Sequence, residues 1–143
     1  MTTLLIGYGN PGRGDDGLGP AFAERIAARA LPGLVVEVDY QLMVDHALMI
    51  AQARTVIFAD AALDASAPFY FRPLEGGASQ IGSHSVTPDA ALHLARTLFG
   101  AAPQGFVLGL RGRDYGEVAE GLSDTAKASL TAAEDFFLNW YRP

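Results

Sequence analysis

Three kinds of side chain in this 143-residue sequence are equipped for chemistry: carboxylates, imidazoles and hydroxyls. Cysteine is absent, which excludes a thiolate nucleophile, a thiolate metal site and disulfides. The notable carboxylates are the adjacent pair Asp15 and Asp16, in a glycine-rich turn from Gly7 to Gly19, and Asp60, which closes the apolar run Thr55–Asp60. A carboxylate at the end of a buried strand needs a partner or a task, because an unpaired charge near a core is costly. Of the three histidines, His84 lies in Ser83-His84-Ser85 within a Gly- and Ser-rich loop, a setting that favours an exposed, functional imidazole. His46 and His93 fall in helical segments and read as surface or half-buried residues. A serine mechanism needs an oriented Ser–His–acid set. Ser83 and Ser85 flank His84, but neighbours in sequence seldom point at each other, and no serine stands out as a nucleophile.

Such residues act together only if the fold carries them to one place. Residues 3–8 read as a buried strand that stops at the glycine-rich turn. Residues 18–30 follow as a helix, with Leu18, Phe22, Ile26 and Arg29 at helical spacing and Pro32-Gly33 as its end. Residues 34–39 form a second strand and 44–53 a second helix. Residues 55–60 are apolar on both faces, as in a central strand of a covered parallel sheet. Residues 69–74 alternate between Pro68 and Glu75-Gly76-Gly77 and read as an edge strand, with 75–87 as loop. Thr87-Pro88-Asp89 caps a helix running to about residue 98, residues 105–110 are the last strand, and Ser123 with Thr125 opens a C-terminal amphipathic helix to about Tyr141. This alternation predicts an α/β three-layer sandwich, α/β/α, around one mixed sheet. In such sheets ligands bind beyond the carboxyl ends of the strands, so the residues just after strands one, three and five rank highest.

Composition narrows the classes of function. One domain over residues 1–143 is expected, since a second core would be hard to fill. Half the residues are apolar and 10% aromatic, which is enough for a core. Net charge is −6, and the chain has a single lysine, so nucleic acid is not an expected partner. No run approaches the length of a membrane span, and the start of the chain lacks a basic n-region and a cleavage site. A cytoplasmic, soluble protein is the expectation.

The first loop has three readings. Gly7-Tyr8-Gly9-Asn10-Pro11-Gly12 matches the dinucleotide pattern G-x-G-x-x-G. That pattern needs a helix N-terminus facing a pyrophosphate, an approach that Asp15 and Asp16 would repel, and the acid ending strand two, Asp39, comes late for the ribose contact. The Gly-Asn-Pro-Gly string looks like the opening of the peptidyl-tRNA hydrolases, but this chain has no histidine before His46 and is acidic. The longer segment Gly7-Tyr8-Gly9-Asn10-Pro11-Gly12-Arg13-Gly14-Asp15-Asp16-Gly17-Leu18-Gly19-Pro20 closely resembles the signature of the hydrogenase maturation endopeptidases, Gly-x-Gly-Asn followed by Asp-Asp-Gly-x-Gly. The resemblance covers nearly the whole chain and includes Gly121-Leu122-Ser123.

The resemblance implies a five-stranded mixed sheet with one antiparallel edge strand, of the phosphorylase/hydrolase-like kind. It implies that Asp16, Asp60 and His84 are both the catalytic set and the ligands that read a metal. Two carboxylates and an imidazole suit nickel, zinc or another first-row divalent ion. The family removes a C-terminal extension from the large-subunit precursor of nickel–iron hydrogenase after nickel insertion, so the nickel is supplied by the precursor and no organic cofactor is expected. Hydrolysis by an activated water is the expected mechanism, with the carboxylates either ligating metal or taking a proton. Asn10, Asp15 and Gln41 are the candidate substrate contacts. Asn10 also reads as a turn stabiliser and Asp15 as a cap favouring the helix that begins at Leu18. Gln41-Leu42, with Ala47 and Leu48, resembles a stretch that lines the peptide cleft in one branch of the family. Position 16 is Asp where some members carry Glu, and Arg111-Gly112-Arg113-Asp114 lacks the family's Pro-containing segment. A monomer is expected. The alternatives are a non-catalytic escort that binds nickel and precursor, and a related peptidase or amidase holding its own zinc.

Overall fold

A computed structural model describes residues 2–62, 64–76, 86–115 and 121–143. Among these residues five strands form one sheet: β1 (Thr2–Tyr8), β2 (Leu34–Asp39), β3 (Ala53–Ala62), β4 (Phe69–Leu74) and β5 (Gln104–Arg111). Their spatial order is β2-β1-β3-β5-β4, parallel except for β4, which pairs antiparallel with β5 at one edge. The expected mixed sheet with an antiparallel edge strand is what the chain forms. Among the described residues four α-helices cover it: α1 (Leu18–Ala27), α2 (His46–Ala51), α3 (Pro88–Phe99) and α4 (Asp124–Trp140).

The strand pleat sorts the core into two halves. Leu5, Ile57, Ala59, Leu108 and Leu110 pack under α1 and α4, where Phe22, Ile26, Leu130 and Phe137 meet them. Leu4, Ile6, Val56 and Phe58 face the other way, against Ile50 of α2 and Leu92 of α3. Because β1, β3 and β5 are covered on both sides, their sequences are continuously apolar rather than alternating. The edge strand β4 does alternate. Phe69 and Phe71 pack at a tilt against Phe136 of α4, Phe71 also meets Trp140 edge-on, and Tyr70 and Arg72 take the opposite face.

Element boundaries differ most from the sequence reading at α1, α2 and β3. Helix α1 stops at Ala27 rather than about residue 30, and Ala30 adopts φ 49°, a left-handed turn that residues 31–33 continue into β2. Helix α2 spans His46–Ala51, because Ala53 already pairs with Thr2 in the sheet. Strand β3 is correspondingly longer at both ends. The caps of the other two helices follow the sequence: Thr87 Oγ1 accepts from Ala90 N at 3.2 Å, and Ser123 Oγ accepts from Ala126 N at 3.1 Å. No helix among the described residues is long and apolar enough to cross a membrane.

The glycines of the first loop owe their place to packing. A Cβ on Gly7 would run into the Gly19 carbonyl and Ala23, and one on Gly19 into the carbonyls of Tyr8 and Ala59. The start of α1 therefore lies directly on the backbones of β1 and β3, and that closeness fixes where the loop emerges. Backbone carbonyls cannot swing aside as a side chain can. Gly19→Ala is expected to lower stability by about 3 kcal/mol, read as a shift in the urea midpoint; an unchanged midpoint would mean that the helix slides freely on the sheet.

Candidate functional site

The carboxyl ends of β1, β3 and β5 bring the acidic residues together. The turn after β1 begins with Gly9 at φ 146°, where a Cβ would strike the Asp16 carbonyl, so only glycine lets the chain double back this tightly. Asn10 then closes the turn on itself. Its Oδ1 accepts from Gly12 N at 2.9 Å, and its own N–H donates to Asp16 Oδ2 at 2.9 Å. The turn-stabilising role expected of Asn10 is present, and its backbone positions the Asp16 carboxylate, which is half-buried at the sheet edge.

Asp15 takes a different task from the substrate contact expected of it. It is 0% exposed, and its oxygens accept from Arg113 N at 2.7 Å, Asp114 N at 2.9 Å, Ser123 N at 2.8 Å and Ser123 Oγ at 2.5 Å. Burial alone would push this carboxyl up. The bonds from Arg113, Ser123 and Asp114 outweigh it and hold the group below the ordinary carboxylate range. Nor does Asp15 cap α1, which has no side-chain cap. It orients the cap of α4 instead, since the Ser123 hydroxyl that donates to Asp15 also accepts from Ala126 N. The Arg111–Asp114 segment, expected to be a solvated loop, is thereby tied to the first turn. Asp15→Ala leaves these donors facing an empty site and is expected to cost about 3 kcal/mol, seen as a fall of several degrees in thermal midpoint that Asp16→Asn does not share.

Asp60 lies where the sheet row Asp39–Tyr8–Asp60–Gly109–Tyr70 crosses the carboxyl edge. Asp39 pairs with Tyr8, Asp60 with Gly109, and Gly109 with Tyr70, while the register Gly7–Ala59 places Tyr8 beside Asp60. Gly109 leaves a gap on this face that the Tyr70 ring fills, and the Arg72 guanidinium lies over that ring at 4.0 Å from its centroid. Burial pushes the Asp60 carboxyl up to about 6. Hydrogen bonds from Tyr8 and from Ala61 N–H oppose the rise, and the nearby Asp16 charge adds to it. Burial, then the Asp60 charge and the hydrogen bond to it, push the Tyr8 phenol up, so Tyr8 stays a protonated donor. Tyr115 completes the rim: its hydroxyl accepts from Gly112 N at 2.7 Å and reaches the Ala62 carbonyl at 3.4 Å. Tyr8, Tyr70 and Tyr115 were not flagged by sequence; the one signal that could have found the first is its place at the end of an apolar strand.

His84 lies outside the described residues. Among the described residues no three His, Cys, Asp or Glu side chains gather closely enough to hold a metal ion. His46 is engaged within the fold. Its Nδ1 lies 2.9 Å from Met43 N and its Nε2 3.4 Å from Asp39 Oδ2, so it staples the end of β2 to the start of α2. His93 is half-buried on α3 beside Thr97. A cleft of about 270 Å³ opens next to the first turn, lined by Gly9, Pro11, Pro20, Glu24, Val38, Asp39 and Tyr40. Gln41 is exposed immediately after Tyr40.

Solved hydrogenase maturation endopeptidases share this mixed-sheet α/β fold. The chain is similar to the hydrogenase maturating endopeptidase HybD from E. coli, with a TM-score of 0.75 at 20% identity over 97% of this chain and 91% of that one. It is similar also to the NiFe hydrogenase maturation protease HycI from Thermococcus kodakarensis, with a TM-score of 0.73 at 19% identity over 96% and 90%. The hydrogenase 2 maturation peptidase from a Thaumarchaeota archaeon gives 0.71 at 20% identity over 97% of both chains. No family model matches the sequence, and no curated protein matches it.

The perturbed Asp60 carboxyl has a measurable signature. Folded, it stays protonated until about pH 6; unfolded, it ionises near its ordinary value of 3.8. The folded state therefore binds more protons between those values, and stability falls as pH rises through the window. Asp60→Asn removes that loss. In metal-free protein its advantage over wild type should grow by roughly 2 kcal/mol between pH 4.5 and 7.5, measured by urea titration at both pH values; a constant difference would mean that Asp60 ionises normally.

Proposed function

We propose that this chain is an endopeptidase that removes the C-terminal extension of a nickel-loaded hydrogenase large-subunit precursor. The observation that carries the reading is the pair Asp16 and Asp60. They approach closely enough at the carboxyl edge for the charge of one to raise the carboxyl of the other, while the adjacent Asp15 is withdrawn into the fold. The likeness of the fold to hydrogenase maturation proteases supports the choice of substrate. In this reading the nickel belongs to the precursor, and Asp16, Asp60 and His84 read it, so a precursor without nickel is left intact.

The chemistry is hydrolysis of one peptide bond. Water adds its oxygen to the scissile carbonyl carbon, the carbon–nitrogen bond breaks, and the proton taken from water passes to the departing amine. Asp60 suits the proton transfer, because a carboxyl at about 6 is a stronger base than an ordinary aspartate and still ionises at neutral pH. Asp16 suits the cation, being held by the Asn10 N–H. The cleft beside Gly9 and Tyr40, with Gln41 at its exposed end, offers the extended peptide a path to the pair. The protein acts as a single-domain, cytoplasmic monomer with the precursor as its partner.

The test mixes the purified chain with a candidate large-subunit precursor, loaded or not loaded with nickel, and follows mobility on a gel. Nickel-dependent shortening at the precursor C-terminus is expected. Asp16→Asn and His84→Ala are expected to abolish it with thermal midpoints within a few degrees of wild type, as single substitutions outside a packed core usually change stability little. Stable co-elution with loaded precursor and no cleavage would assign the chain to escort rather than hydrolysis.

A further inference from the structure

We propose that Tyr8 is the positioning residue of Asp60, its hydroxyl donating to the Asp60 carboxylate and fixing which lone pairs the site can use. The role rests on the peptidase reading; the bond does not. The last residue of β1 meets β3 here. In the parallel register Leu5–Ile57, Ile6–Phe58 and Gly7–Ala59, the next step sets Tyr8 beside Asp60, on the face that Ile6 and Phe58 share. Both residues are half-buried. An ionised carboxylate can only accept, and a phenol has one proton to give, so between two such neighbours the direction of the bond is settled.

The consequence is geometric. The terminal torsion of an aspartate is broad and roughly two-fold, so a carboxylate at the end of a strand presents either oxygen unless something selects one. Two donors select here: the Tyr8 hydroxyl and the Ala61 N–H. They occupy part of the carboxylate's four lone-pair positions and leave the others for a cation or a water proton shared with Asp16. Tyr70 continues the same row across the sheet. Its ring fills the gap over Gly109, the sheet partner of Asp60, and is itself covered by Arg72. Tyr8 is itself fixed by its place as the last residue of β1, paired in the sheet and packed against the core face of Ile6 and Phe58.

Tyr8→Phe keeps the ring and removes the bond. In the precursor-free protein, carbon-13 NMR of labelled aspartate carboxyls, with Asp60 assigned by its loss in Asp60→Asn, should show the Asp60 resonance displaced and the Asp15 resonance unmoved. With nickel-loaded precursor, kcat should fall about tenfold while KM stays within twofold of wild type. Tyr141→Phe, which removes a buried phenol hydroxyl bonded to the Pro32 carbonyl on the far side of the molecule, should alter neither reading. A folded Tyr8→Phe with an unmoved Asp60 resonance overturns the bond. A moved resonance with unchanged kcat overturns the positioning role. If wild type itself cleaves no precursor, the peptidase reading fails and the positioning role with it, while the NMR comparison still decides the bond.

Discussion

The site depends on one buried carboxylate that does none of its chemistry. Asp15 takes hydrogen bonds from the segment after β5 and from the first residue before α4, and so joins three stretches of chain that are distant in sequence. The donors lie in a loop and at a helix end, where no ladder of backbone bonds supplies partners. The joined loops form the wall against which the first turn rests, and that turn delivers Asp16. Two adjacent aspartates thus divide the labour by direction. One points into the fold and is held ionised by its donors, the other points out along the sheet edge.

Across the sheet, small residues set the distances and aromatic ones fill the spaces. Gly7 and Gly19 let α1 descend onto the backbone, and Gly109 admits the Tyr70 ring to the row that contains Asp60. The result is an acid partly shut off from water at the one edge where loops converge. Its raised carboxyl is the expected cost of that position, since burial disfavours the charge and a neighbouring carboxylate adds to the penalty. Stability is given up locally for a group that can change protonation near neutrality.

Much of the scaffold was legible in the sequence because its signals are local. The apolar runs of β1 and β3, the alternation of β4, and the capping residues Thr87 and Ser123 each report on their own neighbourhood. Asp60 was legible for a similar reason: a charge that ends an apolar run is conspicuous. The task of Asp15 was not, because its four donors lie at Arg113, Asp114 and Ser123, about a hundred residues away, and no periodicity reaches that far. The pairing of Tyr8 with Asp60 was hidden for another reason. It follows from the register of β1 on β3, which the packing of both faces decides, and a strand read alone has no register. The short α2 shows local pattern losing to the sheet, where pairing drew Ala53 out of the expected helix.

The chain contains a single tryptophan, and its place has a practical meaning. Trp140, in the last turn of α4, packs its indole on Phe71 of β4 and Phe106 of β5, with Phe137 beside it. This cluster belongs to the face of the sheet opposite the one that carries Tyr8, Asp60 and Tyr70. Intrinsic emission therefore reports whether the antiparallel edge stays docked beneath the C-terminal helix. Variants at the acidic row can change their chemistry while that optical signal stays silent, so fluorescence supplies a built-in gauge of scaffold integrity.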